Sequence, residues 1–560
     1  MRSVNSKEGR SAARVLIAGA GPTGLMMALC LKQYGIDADI VDAKSGPSRD
    51  SKALAINPVS QLQSALIVGQ EFLGENALKV NALSVNWKNK HRLCRIDLSH
   101  LDWPMKDMLI QTQYKTEKEL VNKLEDQGSR IQWNTRLVSV KENESDIEVQ
   151  LLSVDQVTKQ DHIDSQDSAR KQTYDYVIGC EGKRSIVRES IGTKMETRSY
   201  DMFLALADYQ LNTDLDETSA HYCVFEDTFF VLVPLGEGIW RIVVKHEGAL
   251  PDVFNDSLVK RPIEQLIGTD ALIGEPLWKS MAPLYVSYPD SLQSHRLFIA
   301  GDAAHLYSPI GGTGMNTGFM DVINLAWKLA YQILGMTRGS ALLDSYEQER
   351  LPAITENAMA TDRMTQIISR VAKDDADTEP FRPLMKNRRF WRHMLPLSTA
   401  GYGLNYCLES PMQNKASLHP ELSKILLACA CYKECTTKSP VPLTTIPLIT
   451  GPVKKLPLIK VLQFVEPPAE GLNESEPKGM GTAPFSHQGT ESVLVAWHSE
   501  NEIMMIDRHH LLIPQNLWQS LVATGEIKVV RPDGILIYES SAEAFHKNTA
   551  TLFSFLKKEY

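Results

Sequence analysis

The sequence predicts an α/β fold that opens on a parallel β-α-β unit, and three observations carry that expectation. Arg14 to Ala18 is a short apolar run of strand type, Gly19-Ala20-Gly21-Pro22-Thr23-Gly24 follows at once, and Leu25, Met26, Ala28, Leu29 and Leu31 then recur as in a buried helix. Ala38 to Val41 reads as a second strand and ends at Asp42. Far downstream, a second glycine-rich segment from Gly301 to Gly318 again separates an apolar strand from a long helix.

The first turn has the pattern that a closely approaching pyrophosphate requires. Gly19 permits the tight turn, Gly21 lets the phosphates reach the backbone, and Gly24 lets the helix pack against the sheet. The helix N-terminus then offers unpaired N–H groups and a favourable dipole. Asp42 falls about 20 residues beyond the glycines, where an adenosine ribose presents its hydroxyls. Gly19, Gly21, Pro22, Thr23, Gly24 and Asp42 are therefore candidate dinucleotide ligands. The turn by itself does not choose between FAD and NAD.

The totals narrow the field. A chain of 560 residues is too long for one core and implies about two to four domains. The net charge of -9 and the lack of a long Lys/Arg run argue against nucleic acid as a partner. No apolar stretch approaches the length of a membrane span, and Met1 to Ala13 lack the apolar core of a secretory signal, so a cytoplasmic protein is expected. Cys429, Cys431 and Cys435 cluster and could bind metal or accept an acyl chain, but no CxxC occurs, so neither a zinc ribbon nor a dithiol redox site is signalled; the thiols read as reduced and no metal site is expected.

In the second glycine-rich segment, Leu297 to Ala300 reads as a buried strand with Asp302 just beyond it, placed to hold a ribityl hydroxyl. Gly311-Gly312-Thr313-Gly314 makes a loop whose backbone can lie against a flat ring. A long helix then begins near Asn316, with Phe319, Ile323, Ala326, Trp327, Ala330 and Ile333 spaced as one buried face. The helix dipole would favour an anionic reduced ring.

The run from Arg296 to Ala330 resembles the Gly-Asp motif of the para-hydroxybenzoate hydroxylase-like, class A FAD-dependent aromatic hydroxylases. Tyr174 to Arg188 is similar to the family's Asp-Gly motif, with Glu181 in place of the usual Asp and Gly182, Ser185 and Arg188 as in the family. Gln113 stands at the position of a flavin-contacting glutamine, and Lys52-Ala53 where Arg-Ala is usual. The resemblance implies FAD held by Gly19, Gly21, Pro22, Thr23, Gly24, Asp42, Lys52, Gln113, Glu181, Gly182, Arg188, Gly301, Asp302, Pro309, Gly312, Gly314, Met315 and Asn316. Pro309, Gly314, Met315 and Asn316 would lie at the reacting end of the ring. By the same resemblance NADPH or NADH reduces FAD, O2 adds to give a C4a-hydroperoxide, and a small phenolic or polyketide-like aromatic substrate is hydroxylated. Two alternatives stay open: Baeyer-Villiger or non-aromatic oxidation on the same fold, and a flavin-binding protein without turnover. Lys44, Arg49 and Lys52 are the cations that could meet a nicotinamide phosphate. His305 reads as part of the Gly-Asp loop rather than as a base, and no base is evident.

The implied architecture is an α/β FAD-binding Rossmann-like domain of glutathione reductase type over 14–195 and 275–400. A substrate-binding β-sheet domain is interleaved over 196–274, with part of 80–112. Phe203 to Tyr209, Phe229 to Leu235 and Trp240 to Val244 read as its strands, separated by Gly236-Glu237-Gly238, with Trp240 as core. Residues 411–560 would form a thioredoxin-like α/β domain, without redox cysteines, through which a homodimer could form. In it Ser492 to Trp497 reads as a strand and Lys528 to Tyr538 as a hairpin turning at Pro532-Asp533-Gly534.

Overall fold

The computed structural model describes residues 13–49, 53–68, 74, 77–87, 91–101, 105–154, 169–225, 228–308, 312–335, 337, 339–371 and 401, and five strands between 460 and 541. Its first sheet has six strands in the order Gln293–Ser294, Leu297–Ile299, Tyr176–Gly179, Val15–Ala18, Ala38–Val41, Ile131–Gln132. All pair in parallel except the outermost hairpin. The apolar runs read from the sequence are continuous because both faces of these strands are covered: Leu16, Ile17, Ile178 and Phe298 are fully buried. Ala18 pairs with Gly179, and Gly179 with Ile299, so three strands end side by side. From Val15–Ala18 the chain runs to one neighbour through a helix and later adds strands on the other side. That makes a topological switch point, with its crevice at the carboxyl ends of the strands.

The helix Pro22–Gln33 follows the glycine turn and is buried from Gly24 to Leu31. It packs between the helices Gln113–Asp126 and Gly314–Ile333. The long helix starts at Gly314, and the face read from the sequence, Phe319, Ile323, Ala326, Trp327 and Ala330, is core; burial extends around the other sides as well, from Asn316 to Tyr331. The helix Ala341–Val371 packs on it in addition to Pro22–Gln33, which leaves no solvent face.

A seven-stranded sheet follows the order Leu272–Pro289, Met195–Leu211, Ile239–Glu247, Thr228–Gly236, Ser219–Phe225, Ala82–Trp87, His91–Asp97. The three strands expected from the sequence lie inside it, and Gly236, Glu237 and Gly238 turn its central hairpin with φ of 90°, 56° and 71°. On one face Ala207, Tyr209, Phe230 and Trp240 pack under the helix Ser257–Leu266, and Trp240, 1% exposed, is core. On the other face Val233 and Ala220 pack toward Val80 and Ile110 of a three-stranded sheet.

The C-terminal strands Lys460–Phe464, Ser492–Trp497, Glu502–Asp507, Glu526–Val530 and Leu536–Ser541 form one sheet in which every pairing is antiparallel. The expected strand Ser492–Trp497 and the hairpin around residues 531–535 are present, with the turn itself outside the described residues.

Candidate active site

The carboxyl ends of the three adjacent parallel strands bring the three glycine motifs together. The Gly19 N–H donates to Val41 O at 2.8 Å, which bends the turn back over the second strand. A Cβ built on Gly19 would lie 2.2 Å from Cys180 O, and one on Gly24 1.9 Å from Gly19 O, so both positions require glycine. A Cβ on Gly21 meets nothing within 4 Å, so this glycine borders open space beside the uncapped start of the Pro22–Gln33 helix. Thr23 points the other way: its Oγ1 fills the gap left by Gly301 and Gly318, where a Cβ would come within 2.5 and 2.4 Å. Thr23 therefore locks the first helix to the Gly-Asp turn. Asp42 is 9% exposed and accepts from the backbone of Ala20 at 2.7 Å and of Lys44 at 2.8 Å. Each oxygen keeps a second acceptor site for a ribose hydroxyl.

Glu181 turns away from the crevice. Its carboxylate accepts from Ser185 Oγ at 2.7 Å and Val187 N at 3.2 Å, closing the start of the short helix Ile186–Ile191. Burial pushes its pKa up against these hydrogen bonds. Gly182, with φ of 80°, faces Asp302, which is exposed just past Leu297–Ile299. Arg188 donates to Ala303 O at 2.9 Å and Lys183 O at 2.5 Å, tying the Asp-Gly motif to the Gly-Asp motif.

Asn316, 2% exposed, clamps the far side of the crevice. Its Oδ1 accepts from Asn57 N at 2.8 Å, and its Nδ2 donates to Ala55 O and Gly312 O, both at 2.9 Å. Gly312 has φ of 61°, Gly314 borders open space, and the helix beginning there has no side-chain cap and no acid in its first turn. Met315 beside it is half-buried. Gln113 opens the helix Gln113–Asp126; its amide donates to Glu117 at 2.8 Å and accepts from Ala53 N at 3.4 Å. Lys44 Nζ lies 3.7 Å from Asp42 and 3.8 Å from buried Glu117. Arg49 is exposed at the rim of a cleft of about 340 Å³ that it lines with Thr112, Tyr114, Asp208 and Trp278. Lys52 and Pro309 lie outside the described residues.

A buried network behind the Gly-Asp turn escaped the sequence reading. Asp321, fully buried, accepts from Gly301 N at 3.1 Å, from His305 Nε2 at 2.8 Å and from Arg350 at 2.9 Å. His305 is buried and stacked on Tyr307, as a structural histidine should be. Asp321, Asn324 and Lys328 recur at i, i+3 and i+7 within an otherwise apolar helix, and that polar seam was the available signal.

Two uncapped helix N-termini, glycines open to the crevice at Gly21 and Gly314, and a carboxylate at each strand end fit a dinucleotide with a flat ring. The family described as "FAD binding domain" matches residues 12–361. The chain belongs to that family. It is 30% identical over 428 residues to the 6-methylpretetramide 4-monooxygenase of Streptomyces rimosus, covering 73% of each chain. It is 28% identical over 418 residues to the pentachlorophenol 4-monooxygenase of Sphingobium chlorophenolicum, covering 71% of this chain and 72% of that one. The solved structure of the anhydrotetracycline hydroxylase OxyS from Streptomyces rimosus shares the fold at 20% identity, with a TM-score of 0.65 over 97% of this chain and 99% of that one. The chain is thus an FAD-dependent monooxygenase of the class A aromatic hydroxylase type. Among the described residues no helix is long and apolar enough to cross a membrane, and no group of three His, Cys, Asp or Glu could hold a metal. The Cys429/Cys431/Cys435 cluster lies outside those residues.

Proposed function

We propose that this monooxygenase hydroxylates a small phenolic or polyketide-like aromatic substrate, with NADPH or NADH as reductant and O2 as oxidant. The observation that carries the reading is the cleft of about 340 Å³ whose walls come from both units: Thr112 and Tyr114 flank Gln113 on the dinucleotide side, and Asp208 and Trp278 come from the seven-stranded sheet. That is at the small end of the range for ligand pockets, about 300–1,000 Å³. The relatives named for pentachlorophenol and 6-methylpretetramide support an aromatic ring.

FAD, when bound, supplies hydride acceptance and oxygen activation. The chain binds and orients it. Gly21 and the Pro22–Gln33 helix start receive the pyrophosphate, Asp42 the ribose, and Asp302 the ribityl chain. Asn316 holds the Ala55–Asn57 and Gly312 backbones, so the N–H groups opening the Gly314–Ile333 helix would be held in place to stabilise negative charge on a bound flavin. Tyr114 and Trp278 give the cleft two aromatic walls for a flat ring, beside the charged Arg49 and Asp208. A second cleft of about 210 Å³, lined by Lys183, Arg188, Thr197, Ser199 and Tyr285, offers two cations beside the Asp-Gly motif for the nicotinamide cofactor's phosphates. Lys44 is engaged by Asp42 and Glu117, which leaves Arg49 as the described cation at the substrate rim. The reading also takes the protein as cytoplasmic and residues 411–560 as a thioredoxin-like, dimer-forming unit; the hairpin flanking 531–535 fits such a unit, while the all-antiparallel pairing of the described sheet departs from the parallel centre of a thioredoxin-like fold.

The test is a panel of phenol, 1-naphthol, pentachlorophenol and anhydrotetracycline on purified holoenzyme, following NADPH oxidation and product mass together. Ligand-stimulated oxidation is expected, with a product gaining one oxygen atom, accompanied for pentachlorophenol, which has no ring C–H, by release of chloride. A yellow protein whose NADPH oxidation no panel member stimulates, or yields only hydrogen peroxide, would refute it.

A further inference from the structure

The two faces of the seven-stranded sheet differ in one respect that packing alone does not explain. The face toward the cleft carries Leu204, Leu206, Val231, Val233 and Val243. In their midst Asp208 stands directly across from Arg241 on the adjacent strand, with Trp278 opposite Asp208 on the other side. Arg241 grips the carboxylate with two donors, Nη2 to Oδ2 at 2.8 Å and Nε to Oδ1, and its guanidinium lies 3.9 Å from the centre of the Trp278 ring. The Arg241 side chain is 1% exposed and that of Asp208 8%.

A buried ion pair of this kind is a poor device for stability, since desolvating both ions offsets their attraction and an apolar pair of equal volume folds as well or better. It is a good device for holding one charged acceptor rigidly. The guanidinium fork fixes the plane of the carboxylate, the indole holds the guanidinium, and each carboxylate oxygen retains a second lone pair. Asp208 and Trp278 both line the 340 Å³ cleft.

We propose that Asp208, oriented by Arg241 and Trp278, is the specificity-determining acceptor of the substrate cleft: it takes a hydrogen bond from a ring hydroxyl while Trp278 faces the plane of the ring. The proposal rests on the reading that the aromatic substrate occupies this cleft. It adds which atom recognises the substrate and which ligands are refused. A ligand lacking that hydroxyl leaves a buried carboxylate with an unmet acceptor site, the arrangement by which polar sites discriminate strongly.

Dissociation constants of 1-naphthol and of its methyl ether, 1-methoxynaphthalene, are measured on the holoenzyme from the perturbation of flavin absorbance. Both probes are uncharged at pH 7, so ionisation does not confuse the comparison. Wild type should favour 1-naphthol by about tenfold to a hundredfold. Asp208→Asn leaves Arg241 facing a neutral group and risks the fold, so the deciding variant is Asp208→Leu combined with Arg241→Met, which removes both charges at similar volume. It should retain FAD and its melting temperature, bind the ether as well as wild type or better, and lose the preference. A preference surviving in the double variant would overturn the assignment, as would wild type binding both probes equally or neither. NADPH oxidation with the panel tests the aromatic hydroxylase reading separately, so the two can fail independently.

Discussion

Replacing Asp321 by Ala removes the carboxylate that sits behind the Gly-Asp turn, and the structure sets the size of the effect. One oxygen faces Arg350, whose side chain is 3% exposed; the other receives His305 Nε2 and the Gly301 N–H. Removing one member of a buried ion pair costs about 3–5 kcal/mol, and a buried N–H deprived of its acceptor costs about 1–3 kcal/mol. The terms share a site and will not add fully, so about 4 kcal/mol is expected. At roughly 2–4 °C per kcal/mol for a large domain, the thermal midpoint should fall by about 8–16 °C. Flavin release on heating, followed by fluorescence, reads it directly. Asp321→Asn, which keeps an acceptor but not the charge, should fall between. Acid should act through the same group. Burial pushes the Asp321 carboxyl up, but the charges of Arg350 and His305 outweigh it and hold the pKa below its ordinary value of 3.8. A depressed folded pKa means stability that is present above the unfolded value and lost as pH falls through the folded one. Wild type should therefore lose midpoint on acidification below about pH 4, and the Ala variant should show a flatter profile there. An Ala variant that retains its FAD and melts within about 2 °C of wild type would refute the claim that this network holds the turn.

Three further outcomes follow from the same geometry. Gly24→Ala places a Cβ 1.9 Å from the Gly19 carbonyl, which is itself pinned by the Gly19 N–H bond to Val41 O; the first helix must shift at a cost of about 1–3 kcal/mol, and the purified protein should lose most of its 450 nm flavin absorbance. Asn316→Ala removes the acceptor for Asn57 N and the donors to Ala55 O and Gly312 O; a loss of about 2–4 kcal/mol should appear as FAD affinity weakened by about tenfold or more in equilibrium dialysis, with Asn316→Asp recovering only part. Glu181 has its pKa raised by burial, so its contribution favours folding below the unfolded value near 4.5 and is lost as pH rises through the folded value. Glu181→Gln should flatten the midpoint-versus-pH curve above about pH 4.5, and an unchanged slope would mean that the carboxylate is hydrated.

What the sequence disclosed, and what it hid, divides along a physical line. The glycine motifs were legible because their chemistry is local: Gly19, Gly21 and Gly24 are dictated by a backbone that bends, opens and packs within six residues, and the apolar strands beside them are buried on both faces. The seven-stranded sheet was legible in part, since alternation marks a strand but says nothing of its partner. The site's polar architecture depends on partners far apart in the chain. Thr23 read as a phosphate neighbour, yet its hydroxyl fills the gap between Gly301 and Gly318; Glu181 read as a nucleotide contact, yet it closes its own helix. Short side chains at a turn can face either way, and only the packed neighbour decides. Asp208 and Arg241 left a trace: each is a charge at an inward position of a strand, beside the apolar same-face neighbours Leu206 and Val243, with Lys245 a second buried charge on the face of Arg241. Two other strands lie between theirs in the chain, so the buried charges announce that each needs a partner but not which strand supplies it, and the pairing of Asp208 with Arg241 that walls the cleft is fixed only when the sheet brings their strands side by side.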